Sequence, residues 1–496
     1  MLWKNAFVVA VLFSGAYFAL APTCPNREER QWFMSLFAIC LANLMALFVP
    51  MPYFAGSALF VASFLFLTWQ GLPLIASLIC LTAVTPQFTY AVSGVAGIQT
   101  LITLSTPVLM GFTTVIARVL FPKAFVRRRW TTLDWVVLAF IVTLGVVYSR
   151  GAPATTIGRT LIESLASLGA FYFVASRGRT GSPMFVLRAI MLVGVSFAAI
   201  AVAEALMRWL QFTGTAELRG AVTPYLSSPY AVQRFGSLRA ILTFTDSIAC
   251  SIFLSMTFIC GLALYLSERR NRLIWLGATV LILLGTLVTF SRTGVIVISV
   301  GAGVYLLLAR RYVYTVIFAA ACSVAMFGIS VMQSAESAGT IAYRSRLLEL
   351  IPIVARKNLI FGDIRLLYLS DATQFVQGQG LIDLVNTFLG YFVIGGVLLC
   401  GLFVAIPVLA IRQLRGLLRE RDQTSRVLYR KCALAICVAL YVGLIFTSPT
   451  DKNVMYVLFA AGLLRGIGAS QHATSRDRQR AGSAARPHPQ PEMLQS

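Results

Sequence analysis

The stretch LIWLGATVLILLGTLVTF (residues 273–290), followed by SRTG (291–294) and VIVISVGAGVYLLL (295–308), decides the fold. Two apolar runs, each near the length that crosses a bilayer, flank a short polar turn. Between Arg272 and Arg310 the only strong charge is Arg292. A guanidinium is not deprotonated in proteins, and near hydrocarbon it is costly unless it reaches an interface, a partner or a water-filled cavity. Arg292 therefore reads either as part of a site or as a turn arginine snorkelling to lipid headgroups.

Outward from this stretch the same texture continues. Of the 496 residues, 58% are hydrophobic and 12% are charged, and the mean hydropathy is +0.81. A single soluble core cannot bury that much apolar surface, so the solvent is lipid. The apolar runs are continuous rather than alternating, which selects helices over barrel strands. The expected fold class is all-α: a polytopic membrane protein with about 14 transmembrane helices and one long, partly helical outer loop. Spans are expected near residues 6–21, 32–50, 54–69, 71–87, 98–119, 132–149, 158–176, 186–211, 241–266, 273–290, 293–309, 313–332, 384–411, 430–448 and 452–467. The third and fourth are short and read equally well as a hairpin that does not fully cross. The run after Lys4 lacks a clear small-residue cleavage site and is read as a retained first span.

The net charge of +23 does not form a soluble basic face, which excludes nucleic acid as a partner. Basic residues sit in the gaps between apolar runs: Lys123 with Arg127 to Arg129, Arg177 with Arg179 and Arg188, Arg269 with Arg270 and Arg272, Arg310 with Arg311, and Arg412 through Lys431. These are alternate loops, the signature of the positive-inside rule and of contact with anionic membrane lipids. They belong in the cytoplasm together with the tail bearing Arg476, Arg478 and Arg480. Parity then turns the 291–294 segment outward, along with the loops near 212–240 and 333–383. The positive-inside rule leaves Arg292 unexplained, which favours the site reading.

Five segments follow: N-terminal membrane helices (1–200), core membrane helices with the Ser-Arg-Thr-Gly turn (201–332), an outer loop (333–383), C-terminal membrane helices (384–467) and a disordered basic tail (468–496). In the loop, Arg344, Arg346, Arg356, Lys357 and Arg365 balance Glu336, Glu349, Asp363, Asp371 and Asp383. Such balance suits a folded lobe, and Arg346 to Val354 carries helical apolar spacing. The nine cysteines show no ligand spacing. Both histidines, His472 and His488, lie in the tail. A histidine-based metal site, triad or proton relay in the membrane is excluded, and neither a metal nor a cofactor is expected.

Three outward clusters carry chemistry. The first contains Arg234 and Arg239 and opens into the span holding Asp246, which orients Arg239 or lines the site, or else serves as a partner for some hydroxyl or arginine. The second is Ser291 to Gly294. The third is the loop, from Ala342-Tyr343-Arg344-Ser345-Arg346 to Asp383-Leu384-Val385-Asn386-Thr387-Phe388-Leu389. For Arg234 and Arg239 headgroup contact is the plainer alternative. Glu204, four residues before Arg208, is expected to form an i, i+4 pair. Arginines gathered at a membrane surface suit a polyprenyl diphosphate, whose tail needs hydrocarbon and whose phosphates match the planar guanidinium fork.

An Arg-Phe-Gly segment before a long span, Ser-Arg-Thr-Gly between two spans, a long outer loop, then Asp383 to Leu389 with Gly395-Gly396 resembles the O-antigen ligase and polysaccharide polymerase superfamily. The likeness covers roughly residues 200–410. It implies a glycosyltransferase of the bacterial inner membrane, working at the periplasmic face on undecaprenyl-diphosphate-linked oligosaccharides as donor and acceptor, with inversion and without metal. A chain-length regulator and a flippase would be further partners. By analogy Arg292 and Arg239 bind the diphosphate with Arg344 or Arg346 helping, and Arg234, Asp246 and Asn386 support the site. The acceptor hydroxyl needs a base, for which Asp383 is named with Glu349 and Asp363 behind it, each of which reads equally as an ion-pair partner of the loop arginines. Ligases of the superfamily typically carry His-Asn where this chain has Val385-Asn386, which favours the polymerase branch. The alternatives are ligase-type transfer to another acceptor and a lipid-linked oligosaccharide flippase or transporter. Transporters place polar residues near the midplane in two related halves, whereas here they gather outward in the second half.

Overall fold

Prolines and capping residues set many of the helix starts. Ser105 accepts from the Val108 N–H with Pro107 in the first turn, and Ser182 accepts from the Phe185 N–H just before Pro183. Thr131 and Asp134 form a reciprocal capping box, which satisfies two otherwise unpaired donors. Asp246 accepts from the Ala249 N–H at 2.7 Å.

A computed structural model describes residues 2–86, 89–93, 100–179, 181–212, 215, 218, 233–234, 237–244, 246–318, 320, 343, 345–363, 365, 384, 386–412, 424–448 and 453–466. The order is α1 (Leu2–Leu20), α2 (Arg27–Ala46), α3 (Tyr53–Trp69), α4 (Leu74–Val84), β1 (Thr89–Ser93), β2 (Thr100–Ser105), α5 (Thr106–Leu120), α6 (Thr132–Tyr148), α7 (Ala154–Ser164), α8 (Ala170–Arg177) and α9 (Pro183–Met207). There follow β3 (Gln233–Arg234), β4 (Ser237–Leu238), α10 (Ser247–Ser267), α11 (Arg272–Leu287), α12 (Arg292–Leu308), α13 (Leu350–Asn358), α14 (Thr387–Arg412) and α15 (Ser425–Gly443), then α16 (Asn453–Gly466). The strands form two antiparallel hairpins, β1 with β2 and β3 with β4.

The chain is thus all-α and of membrane type. By length and composition alone, five helical segments among the described residues suffice to cross a membrane: Leu2–Thr23, Pro183–Met207, Ser247–Ser267, Ser425–Phe446 and Thr387–Arg412, the last interrupted at Gly396. Shorter apolar helices pack among them. Phe7, Val119, Leu206 and Leu273 stand exposed on outward helix faces while Trp275, Tyr305 and Tyr456 are enclosed, as expected where the surroundings are as apolar as the core.

Several expected boundaries move. The span expected from 98 begins instead with β2, and the helix starts at Thr106. Here the β-branched residues Thr100, Ile102 and Thr103 favour the ladder, and Ser105 with Pro107 nucleates the turn. A π turn, Leu165–Gly169, joins α7 to α8. The 11-residue α4 is buried along its whole length, about 16 Å of helix enclosed by protein. Of the span expected at 313–332, residues 312–318 are helical, and most of the remainder lies outside the described residues.

The largest departure is α14, expected as one span over 384–411. Gly396 has φ 65° and ψ −162°, a region essentially closed to residues with a Cβ. The Phe403 ring lies 4.9 Å from that of Tyr391 and 5.4 Å from that of Phe388. In a straight helix Tyr391 and Phe403 would be about 18 Å apart along the axis. The chain therefore doubles back at Gly396, and residues 387–395 form a half-helix beside the longer half. Backbone groups freed by the break are taken up by the loop: the Val397 and Leu398 N–H groups donate to the Leu359 and Ile360 carbonyls at 2.9 and 3.1 Å, and the Asp363 N–H donates to the Val393 carbonyl at 3.0 Å.

Candidate functional site

Hydrogen bonds sort the helix ends into two sets. At the first, Arg188 near the start of α9 pairs with Glu29 at 2.5 Å and also with Glu268, which follows α10. Trp275 Nε1 donates to Glu268 at 2.9 Å. Asp134 accepts from the Tyr172 hydroxyl at 2.7 Å and lies 3.5 Å from Arg465 Nε. Arg177 Nη1 donates to the Arg128 carbonyl at 2.9 Å. Burial, with Arg465 and Arg177 nearby, lowers the Arg128 pKa from its ordinary value. Arg269, Arg270 and Arg272 adjoin Glu268, and Arg310 and Arg311 follow α12. The basic clusters therefore collect at one end.

The opposite end holds the candidate site. Glu204, near the end of α9, is fully enclosed. Its carboxylate accepts from the Gln211 N–H at 2.9 Å and from the Ile241 and Leu242 N–H groups at 3.3 and 3.4 Å. This corrects the expected pair with Arg208. That residue caps α9 with φ 52°, so its side chain leaves the helix face that an i, i+4 contact needs. Glu204 instead fixes the segment just after Arg239. Asn5 near the start of α1 donates to the Gln211 carbonyl at 2.9 Å, bringing that helix start to the same end.

Arg239 Nε donates to the Thr289 carbonyl at 3.1 Å, and the Ala240 N–H donates to the Val288 carbonyl at 3.3 Å. The Arg239 segment thus lies along the turn that leads into Arg292. That turn is tight: Phe290 has φ 49°, and Leu242, on the facing segment, has φ 56°. Each left-handed conformation costs about 1–2 kcal/mol without glycine, and such strain collects where geometry is functional. Arg292 is the first residue of α12. The Ser251 hydroxyl donates to Ser291 Oγ at 2.9 Å, and Ser255 Oγ donates to the Gly294 carbonyl at 2.9 Å. A Cβ on Gly294 would meet Ser251 Cβ at 2.7 Å, so glycine is what lets α12 start hard against α10.

The half-helix of α14 enters at the same level. Asn386 Oδ1 accepts from the Phe388 and Leu389 N–H groups at 2.9 and 3.2 Å, capping it. Thr387 Oγ1 donates to the Thr447 carbonyl at 2.8 Å, while Thr293 Oγ1 reaches the adjacent Phe446 carbonyl at 3.5 Å. The starts of α12 and α14 are therefore tied to consecutive carbonyls after α15. With α10 capped by Asp246, three helix N-termini and two guanidinium-bearing segments gather at one end. Helix N-termini carry partial positive charge and donors suited to phosphate oxygens.

Arg239, Arg292, Asp246 and Asn386 are thus brought to one end of the bundle. Arg234 lies in the β3 strand, close in sequence to this group. Arg346 stands exposed just before α13, and Glu349 is exposed beside it. Asp363 sits at the break in α14, its Oδ1 accepting from the Arg365 N–H at 2.9 Å. Asp383 and Arg344 lie outside the described residues. The sequence reading missed Glu204 as a support and Arg150, whose Nη1 donates to the Gly362 carbonyl at 2.8 Å. No periodicity signals either one, because their partners are backbone groups off the helix, reached through Gln211, Ile241 and Leu242 for Glu204 and Gly362 for Arg150. Among the described residues no His, Cys, Asp and Glu cluster suited to a metal is present.

This geometry defines an all-α membrane-type protein in which the Arg239 segment and the Arg292 helix start meet at the end opposite the basic clusters. No protein-family model, curated protein or solved structure matches the chain.

Proposed function

We propose that the protein is a polysaccharide polymerase of the bacterial inner membrane, an inverting glycosyltransferase joining undecaprenyl-diphosphate-linked repeat units at the periplasmic face. The observation that carries this reading is the convergence of the Arg239 segment and the Arg292 helix start, held together by the Arg239 to Thr289 hydrogen bond. In the reaction an acceptor hydroxyl oxygen attacks the anomeric carbon of the donor. The bond to the diphosphate oxygen breaks with inversion, and the hydroxyl proton passes to a carboxylate, assigned to Asp383. Charge grows on the leaving diphosphate, so fixed guanidiniums and helix N-termini stabilise the transition state more than the ground state. Arg292 and Arg239 take that role, with Arg344 or Arg346 assigned to help from the loop. Arg234, Asp246 and Asn386 support the arrangement.

The test is incubation of the purified protein with lipid-linked repeat units alone. A ladder of elongated products is expected; its absence with active, folded protein sinks the reading. One feature favours a second reading. Broken membrane helices such as α14 also build transporter sites, which points to a flippase for lipid-linked oligosaccharides. In proteoliposomes that function would move labelled donor across the bilayer without lengthening it, and the same preparation separates the two.

A further inference from the structure

Leu347, just before α13, packs together with Leu350 and Val354 of α13 and with Leu389 and Val393 of the α14 half-helix. A second apolar face, running from just before α13 to the turn after it, stands exposed. Leu348 and Ile351 are exposed, and so are Leu359, Ile360 and Phe361 in the following turn, the last at 50%. A solvent-borne lobe does not normally present such a run of large apolar side chains.

Two observations say what covers it. First, the hydrogen bonds from Val397 and Leu398 to Leu359 and Ile360 join the turn to the top of the longer α14 half. Down that half runs an exposed stripe of Val397, Val404, Val408 and Ile411. A row of exposed aliphatic side chains along an apolar half-helix of a membrane-type fold faces hydrocarbon, and the turn extends that row without a polar gap. Second, Arg356 and Lys357 close α13 and are exposed, where cationic side chains would meet lipid phosphates.

We propose that residues 348–361 are seated in the leaflet at the Arg292 end, with Leu359, Ile360 and Phe361 among phospholipid acyl chains and Arg356 with Lys357 at the phosphate level. The long loop is then anchored in the membrane at the break of α14, and Gly362 is pinned from the protein side by Arg150. The inference rests on the membrane character of the fold and is independent of the polymerase reading.

The test uses the full chain in phosphatidylcholine and phosphatidylglycerol vesicles. Phe361→Cys, Ile360→Cys and Arg356→Cys are each labelled with a nitroxide and compared with the unsubstituted protein. Cys24, Cys40, Cys80, Cys250, Cys260, Cys432 and Cys437 are buried. Burial raises the Cys24 thiol to about 11, so it stays protonated and slow to react. Labels at Phe361 and Ile360 are expected to collide several-fold more with oxygen than with a water-soluble nickel chelate, and the Arg356 label less so. The proposal is overturned if the Phe361 and Ile360 labels are as open to nickel as the Arg356 label. It is equally overturned if they are shielded from both reagents, which would mean protein covers the patch.

Discussion

Arg292 opens a helix, and that position gives its charge a setting no free loop arginine has. Its backbone belongs to an N-terminus that favours anions, and Arg239 is held against the preceding turn through Thr289. Arg292→Ala and Arg239→Ala are each expected to lower polymer synthesis by about 10²–10³-fold, with single repeat units accumulating and membrane levels unchanged. Arg292→Lys should also be impaired, since a point charge cannot reproduce the fork; normal polymer length from both Arg292 variants removes the assigned role. Glu204→Gln replaces one acceptor oxygen with a donor that faces backbone N–H groups. A loss of about 1–3 kcal/mol is expected, read as a lower midpoint of thermal unfolding in detergent, and an unchanged midpoint would refute the anchoring account. At this scale the sequence marked Arg239, Arg292, Asp246 and Asn386 because charged or polar residues beside apolar runs are conspicuous. Glu204 was assigned the wrong partner because the i, i+4 rule presumes that Arg208 is still helical.

The helix α14 shows what hydropathy leaves out. Its apolar run is long and uninterrupted, which reads as one crossing, because hydropathy registers how apolar a segment is and not where its axis points. Gly395 and Gly396 were noted only as a pair within the resemblance, and their physical role emerges from the fold. Gly396 sits at a glycine-only conformation, and a Cβ there would collide with the Ile360 carbonyl. Gly396→Ala is expected to cost about 1–3 kcal/mol or more and to lower the unfolding midpoint. Gly401→Ala is the control, since nothing lies within 4 Å of its added Cβ. Equal midpoints for the two variants would contradict the reversal at Gly396. The helical spacing read in Arg346 to Val354 overlaps α13 at Leu350 to Val354, and the helix itself lies four residues further on, ending at Asn358, since periodicity signals a helix better than it fixes its ends.

Across the whole molecule, charge and hydrogen bonding divide the helix ends consistently. The basic end is tied together by Arg188, which holds Glu29 and Glu268 from two other parts of the chain. Arg188→Ala strands two largely buried carboxylates. A loss of about 3–5 kcal/mol is expected, measured as a reduced yield of monodisperse protein and a lower unfolding midpoint. Orientation is checked by alkaline phosphatase fusions, with an inactive fusion expected after Arg311 and an active one after Asp363; the reverse pattern would place the Arg292 end in the cytoplasm. Fold class was legible because composition calls for lipid and continuous apolar runs call for helices rather than barrel strands. The assembly of the site was not, since it depends on contacts such as Arg239 with Thr289 and Thr387 with Thr447, which have no local signature.

Glu204 has one more implication. A single carboxylate receives amides from both Gln211 and Ile241, so it fastens the two ends of the intervening stretch like a clasp. With its ends clasped, that stretch can change in length at little cost, about 0.6 kcal/mol of closure entropy for each doubling. Evolution could therefore lengthen or recast it while the contact of Arg239 with Thr289 stays where it is.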